Sequence, residues 1–172
     1  MFELLTQWID IPSPTGEETA FADALCHWLS SHGYALQRQP VSEGRYNIVA
    51  TAGSSARVLF CTHLDTVRPH IPCRMTEGTI WGRGSCDAKG ILFAMLLAGE
   101  TLRRRGVDRF GFLFVVGEER DSDGAKAAAA SGLQCDYVIL GDPTDNQLVR
   151  HHKGALVFQA AASSEEHTSE LQ

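Results

Sequence analysis

Several features that would place a protein in a membrane, a secretory route or a nucleic-acid complex are missing from this sequence. It has no apolar stretch long enough to span a bilayer, and its first residues lack the basic region and cleavage site of a secretory signal. Its five cysteines are an odd number without zinc-finger spacing, which indicates reduced thiols. A formal net charge of −6 argues against nucleic-acid binding. We therefore expect a cytoplasmic protein with neither a membrane nor a nucleic-acid partner.

Two kinds of active site are also not indicated. The segment Gly82-Arg-Gly84 has no third glycine and no Walker-type lysine pattern, which argues against a dinucleotide-dependent dehydrogenase. Cys86 has no evident base to activate it, so we expect a packing or incidental role for this thiol.

The order of apolar patterns predicts an α/β domain. A length of 172 residues suits one domain, and the hydrophobic fraction of 44% and charged fraction of 21% are typical of globular proteins. Segments with helical spacing alternate with short β-branched or aromatic runs. Helices are predicted over Phe2–Ile9, Glu17–Ser31, Ala88–Leu102 and Ala125–Ala130, and strands near Tyr34–Gln39, Tyr46–Thr51, Val58–Cys61, Phe112–Val116 and Tyr137–Leu140. The last three of these strands are expected to be buried. Residues 15–18 have the spacing of a capping box, which would mark the start of the second helix.

Histidine and acidic residues lie at the ends of these apolar segments. They are His63 and Asp65, Asp87, Glu118 and Glu119, and Asp142. Ligands of open α/β sheets bind at the carboxyl ends of the strands, so we expect these residues to converge on one polar crevice. One imidazole among many carboxylates, with no thiolate required, suits a hydrolytic pair of divalent metal ions.

His63, Asp65 and Asp87 each have an alternative interpretation. Residues i and i+2 of an extended segment project to one face, so the Asp65 carboxylate is expected to accept a hydrogen bond from one His63 nitrogen while the other nitrogen binds metal. A solvated histidine and aspartate at a strand end is the alternative for this tripeptide. Asp87 follows the glycine-containing segment 81–86 and either bridges two cations or caps a helix.

Glu118 and Glu119 are adjacent, so their side chains point apart in an extended segment. One of them can bind metal while the other acts as a general base. Solvated loop acids are the alternative, although two neighbouring carboxylates after a buried strand would repel each other without a cation. Asp142 precedes Pro143, so it is either a ligand or a turn former.

Six motifs together closely resemble the co-catalytic zinc hydrolases of the aminoacylase and carboxypeptidase family, which includes acetylornithine deacetylase, succinyl-diaminopimelate desuccinylase and glutamate carboxypeptidase. The resemblance extends to about Ala162. The motifs are Ser13-Pro-Thr-Gly-Glu17, Thr62-His-Leu-Asp-Thr-Val67, Gly82-Arg-Gly-Ser-Cys-Asp-Ala-Lys-Gly90, Gly117-Glu-Glu119, Gly141-Asp-Pro-Thr144 and His152-Lys-Gly154.

The resemblance implies a mixed, largely parallel central sheet flanked by helices, with two zinc ions at its edge and cobalt or manganese as possible substitutes. It implies that Asp87 bridges the ions, that His63 and Asp142 complete one site, and that Glu119 belongs to the other. Glu118 resembles the general base, and Asp65 is the second expected catalytic residue. The implied reaction cleaves the amide bond of an N-acyl amino acid or a short peptide; the alternative is a catalytically silent metal-binding fragment.

The end of the chain departs from the family pattern. The family has a lid domain, which supplies dimer contacts, and a further histidine ligand downstream, and neither is recognised in this sequence. We expect an incomplete catalytic domain over residues 1–153 and the start of a lid over residues 154–162. Residues 163–172 resemble a translated sequencing adapter and are expected to be non-native. A homodimer is expected for a full-length parent, through the lid.

Overall fold

The structure is a computed structural model that describes residues 2–149. Its helices are α1 (Phe2–Ile9), α2 (Thr19–Ser31), α3 (Lys89–Arg104) and α4 (Asp123–Ala130). Its strands are β1 (Ala35–Ser42), β2 (Arg45–Thr51), β3 (Val58–His63), β4 (Arg74–Thr76), β5 (Thr79–Trp81), β6 (Phe110–Val115) and β7 (Tyr137–Leu140). The expected lid start and adapter-like tail lie outside the described residues. Within residues 2–149, no helix is long and apolar enough to cross a membrane.

Five strands form one mixed sheet in the order β1-β2-β6-β3-β7. Strand β3 runs parallel to β6 and to β7, whereas β2 is antiparallel to β1 and to β6. The predicted α/β class and mixed sheet are therefore confirmed. In the five-stranded sheet of the described residues, the parallel pairs join β6, β3 and β7, and the carboxyl ends of these strands meet at one edge.

Helices cover both faces of the sheet because the central strand β6 is apolar on both sides. All six residues of β6 are buried. Phe110, Phe112 and Phe114 belong to the core beneath α1, α2 and α3. Leu113 and Val115 face the opposite way, in a smaller core that includes Ala128 of α4. Burying each phenylalanine side chain contributes about 1.5–3 kcal/mol, so β6 anchors the edge that carries the site.

Strand β7 has the predicted bounds, but its predicted burial is wrong. Tyr137, Val138, Ile139 and Leu140 are 49–69% exposed. The reason is position, because β7 is the last strand in the order and, within residues 2–149, pairs only with β3.

The predicted capping box at residues 15–18 is also wrong. Helix α2 begins at Thr19, and the preceding Glu18 makes no capping bond with its side chain. The Thr15 hydroxyl donates to Asp65 Oδ2 at 2.8 Å instead. Glu18 is fully buried and accepts two hydrogen bonds from the Arg45 guanidinium. Glu18 Oε1 also accepts from Gly16 N at 3.1 Å, but neither side chain makes the reciprocal Thr15–Glu18 bonds of a capping box.

Candidate metal centre

The parallel strands bring the predicted site residues to one edge of the sheet. His63 is the last residue of β3 and lies opposite Val115, the last residue of β6. Glu118 and Glu119 follow β6 after a short turn, and Asp142 follows β7. Asp87 lies two residues before α3. Residues far apart in sequence therefore meet where the sequence pattern predicted a polar crevice.

Three of these side chains form a compact cluster of possible metal ligands. One ligand atom from each of His63, Asp87 and Glu119 lies within 4.8 Å of the other two. The His63 Nε2 atom is 2.9 Å from Asp87 Oδ1 and 4.0 Å from Glu118 Oε2. The imidazole is buried, whereas the Asp87 and Glu118 side chains are about half exposed. The cluster thus has a buried nitrogen at its base and carboxylates toward solvent.

The orientation of His63 differs in one detail from the expectation. Its Nδ1 atom is 2.9 Å from the main-chain oxygen of Asp65 but 3.5 Å from the Asp65 carboxylate. A carbonyl oxygen only accepts, so Nδ1 carries the proton and donates to it. This bond fixes the ring and directs Nε2 toward Asp87. Burial opposes a charged imidazole, but the Asp65 and Asp87 carboxylates outweigh it and raise the pKa of His63 to about 10.

Asp65 organises the segment that carries the two glutamates. Its fully buried carboxylate accepts main-chain hydrogen bonds from Glu118 N at 3.0 Å and Glu119 N at 3.1 Å, besides the bond from Thr15. Burial alone would raise the pKa of Asp65, but the nearby His63 imidazole and the hydrogen bonds from Thr15 and Glu118 N lower it below its usual range. The His63–Asp65 spacing suggested contact with the imidazole only; nothing in it signalled the contacts with Thr15 and the two main-chain amides.

Negative charge exceeds positive charge around His63. Burial raises the pKa of Glu118, and the charges of Asp142, Asp65 and Asp87 raise it further, with His63 opposing. The pKa of Glu119 is raised by burial and then by Asp87. An imidazole nitrogen with several carboxylate oxygens is a donor set that fits a divalent cation such as zinc. The residues present therefore suit the metal that the family resemblance implies.

Asp142 stands apart from the three-residue cluster. It is exposed, and the cluster consists of His63, Asp87 and Glu119. It follows β7, which is parallel to β3, so it lies at the same edge of the sheet, and its charge contributes to the raised pKa of Glu118.

Two glycines before Asp87 permit the close backbone approach that the sequence suggested. Gly82 has a φ of +146°, and a Cβ atom there would lie 2.6 Å from Ile9 Cγ2. Gly84 has a φ of +86°, and its Cβ would lie 3.1 Å from Thr66 and 3.2 Å from Lys89. Both glycines thus pack the segment before Asp87 tightly against α1 and the strand end.

Lys89 is a buried supporting residue that the sequence pattern did not single out, although it lies in the motif at residues 82–90. Its buried Nζ donates to the main-chain oxygens of Trp8 at 3.0 Å and Ile11 at 2.5 Å, and lies 4.3 Å from the centre of the Phe21 ring. Burial lowers the pKa of Lys89 to about 8. The ammonium ties the start of α3, and with it the Asp87 segment, to the end of α1.

Comparisons with known proteins give relatives for most of this chain. A peptidase M20 domain-containing protein of Schizosaccharomyces pombe is 38% identical over 164 residues, covering 90% of this chain and 41% of that protein. A probable carboxypeptidase of Aspergillus terreus is 35% identical over 178 residues, covering 91% of this chain and 41% of that protein. A solved tripeptidase from Staphylococcus aureus has a TM-score of 0.71 at 24% identity, covering 83% of this chain and 43% of that one. At that identity the structural likeness establishes the fold alone.

The chain spans about two fifths of the length of the curated relatives it matches. Residues 59–166, more than half of the chain, match the profile of a family described as peptidase family M20/M25/M40. This match confirms the resemblance carried by the six motifs. The chain belongs to peptidase family M20/M25/M40.

Proposed function

We propose that this chain provides most of the metal centre of a hydrolase that cleaves the amide bond of an N-acyl amino acid or a short peptide. The observation that carries the proposal is the cluster of His63, Asp87 and Glu119 beside Glu118 at one edge of the sheet. Family membership supports amide hydrolysis, and the relative named a probable carboxypeptidase supports a peptide-like substrate.

The proposed centre holds two zinc ions, with cobalt or manganese as possible substitutes. Asp87 would bind both ions, His63 and Asp142 would bind one of them, and Glu119 would bind the other. When bound, the metal supplies Lewis acidity, which polarises the scissile carbonyl and acidifies the attacking water. The donor set supports this assignment, because it combines one imidazole with carboxylates.

The chain's own residues then have separate tasks. Glu118 takes the proton of the attacking water and passes it to the leaving amine, and its half-exposed carboxylate at the mouth of the cluster supports this role. Asp65 holds the main chain of both glutamates and, through its carbonyl oxygen, the His63 ring. His63 offers Nε2 to the metal because its Nδ1 proton is engaged.

Zinc binding by the 172-residue chain tests the proposal directly. Isothermal titration with Zn²⁺ should show binding. The His63→Ala substitution should lower the zinc affinity by about 100-fold or more, because it removes a side chain that binds the metal directly. His27→Ala is the matched control, because His27 is an exposed histidine on α2. Absence of zinc binding, or equal loss in both variants, would overturn the proposed centre.

A catalytically silent metal-binding chain is the second candidate. It is favoured by the share of its relatives that the chain spans, about two fifths. Hydrolysis of N-acyl amino acids and dipeptides by the zinc-loaded chain would exclude the silent alternative.

We propose the following division of the chain. Residues 1–153 belong to the catalytic domain, residues 154–162 begin a lid, and residues 163–172 are non-native. A longer parent would form a homodimer through the lid.

A further inference from the structure

The segment that carries both glutamates is a closed loop with a narrow neck. We call residues 117–122, between β6 and α4, the acid loop. Val116 and Gly124 form its neck, where Gly124 N donates to Val116 O at 3.1 Å. Inside the neck, Ser122 N donates to Gly117 O at 2.7 Å. A Cβ atom on Gly124 would lie 2.3 Å from Val116 O, so only glycine allows this approach. The direction of the acid loop is therefore set where its two ends meet.

The side chain of Asn47 bridges both sides of this neck. Asn47 lies on β2, which carries no predicted site residue, and its side chain is fully buried. Its Oδ1 accepts from Val116 N at 3.1 Å, and its Nδ2 donates to Gly124 O at 2.7 Å. Nδ2 also donates to Gln39 Oε1 at 2.7 Å. A carboxylate could not donate to Gly124, and an apolar side chain could make neither bond, so the site requires an amide.

The acid loop is held from a second side by Asp65. Its carboxylate accepts from Glu118 N and Glu119 N, which lie within the loop. Asp65 therefore fixes the two acids relative to β3, and Asn47 fixes the ends of the loop relative to β2. Buried main-chain groups need partners, so loss of Asn47 would leave Val116 N and Gly124 O without these bonds.

We propose that Asn47 is a positioning residue of the metal centre: its amide clamps the neck of the acid loop and thereby presents Glu118 and Glu119 beside His63 and Asp87. The clamp itself follows from the contacts of Asn47. Its consequence for metal binding rests on the proposed function.

Hydrogen exchange of the metal-free 172-residue chain tests the clamp without reference to zinc. Asn47→Ala should accelerate exchange of amides in the acid loop by about 10- to 100-fold, as expected for losing one or two buried hydrogen bonds. Leu29→Ala is the control, because Leu29 is fully buried in α2, in the core on the other face of the sheet. Unchanged loop exchange in Asn47→Ala, or equal acceleration in Leu29→Ala, would overturn the proposal.

A conservative variant keeps the test decisive if Asn47→Ala does not fold. Asn47→Asp retains an acceptor for Val116 N and gives up the donor to Gly124 O. It should therefore accelerate exchange at the α4 side of the neck more than at Val116. Equal exchange on the two sides of the neck would contradict the two separate bonds assigned to the amide.

A double-mutant cycle tests whether the clamp acts through the acids. Asn47→Ala should weaken zinc binding about tenfold, the lower end for losing a group that orients a ligand. In a Glu119→Gln background the same change should have little further effect, because the ligand that Asn47 positions is already removed. Additive losses would show a general structural effect and refute positioning. If the unmodified chain bound no zinc, the proposed function would fail, and the exchange result alone would decide the clamp.

Discussion

Replacing Asp65 by asparagine should destabilise the metal-free chain strongly. Asp65 Oδ2 accepts from Thr15 and Glu119 N, and Oδ1 accepts from Glu118 N. An asparagine oxygen can keep the two bonds at the Oδ2 position, but its NH₂ group then faces the Glu118 N–H, and two donors meet. The loss of one bond to a charged acceptor costs about 1.5–3 kcal/mol, and the buried unpaired donors cost about 1–3 kcal/mol. We expect a net loss of about 3 kcal/mol.

Urea and thermal unfolding in the presence of a chelator measure this loss. A change of about 3 kcal/mol corresponds to a decrease in Tm of roughly 6–12 °C for a chain of this size. Asp23→Asn is the matched control, since Asp23 also accepts two side-chain hydrogen bonds, from Arg38 and Tyr46, but its side chain is half exposed. Its loss should be below about 1 kcal/mol. If Asp65→Asn were no more destabilising than Asp23→Asn, the assigned role of Asp65 in holding the loop would be refuted.

Three further predictions concern the metal and the core. Elemental analysis after dialysis should give close to one zinc per chain, because the proposed ligands divide unequally between the two sites; two equally retained ions would contradict this division. Glu119→Gln should lower zinc content, whereas Glu118→Gln should retain zinc and, in a full-length parent, lower turnover by ~10²–10⁴-fold; the reverse metal contents would exchange the two roles. Phe112→Ala should lower the free energy of unfolding by about 3–5 kcal/mol, because Phe112 is fully buried. Leu36→Ala is the control and should cost far less, because Leu36 is partly exposed. Equal costs would contradict the described core.

The sequence predicted the sheet edge well because apolar runs and their polar ends are local signals. The strand at Val58–Cys61 extends to His63, and the acids after β6 reach the same edge through parallel pairing. Burial of β7 could not be predicted in the same way. An apolar run of four residues has the same pattern in the centre of a sheet and at its edge, and only the strand order distinguishes the two.

Strands β4 and β5 and the role of Asn47 were not predicted. The two strands are too short to show a pattern, and the contacts of Asn47 are with residues far along the chain. Strands β4 and β5 have three residues each, too few for a periodic pattern, and their turn has positive φ at Glu77 and Gly78 without the usual asparagine. The signal for Asn47 was visible, because an amide precedes the apolar run Ile48-Val49-Ala50 in a strand. Its partners, however, lie 69 and 77 residues downstream and are set by the fold.

The wide spacing of the candidate ligands in the sequence has a consequence for the order of events in folding. Asp87 lies 24 residues after His63 in the sequence, and Glu119 follows still farther along the chain. These three candidate ligands are therefore far apart in the unfolded chain, unlike the closely spaced ligands of a zinc finger. The ligands meet only where β3 pairs with β6, so a cation that binds them stabilises the folded state, by an amount that rises with the logarithm of its concentration. We therefore expect bound metal to stabilise the folded sheet and not to nucleate its formation.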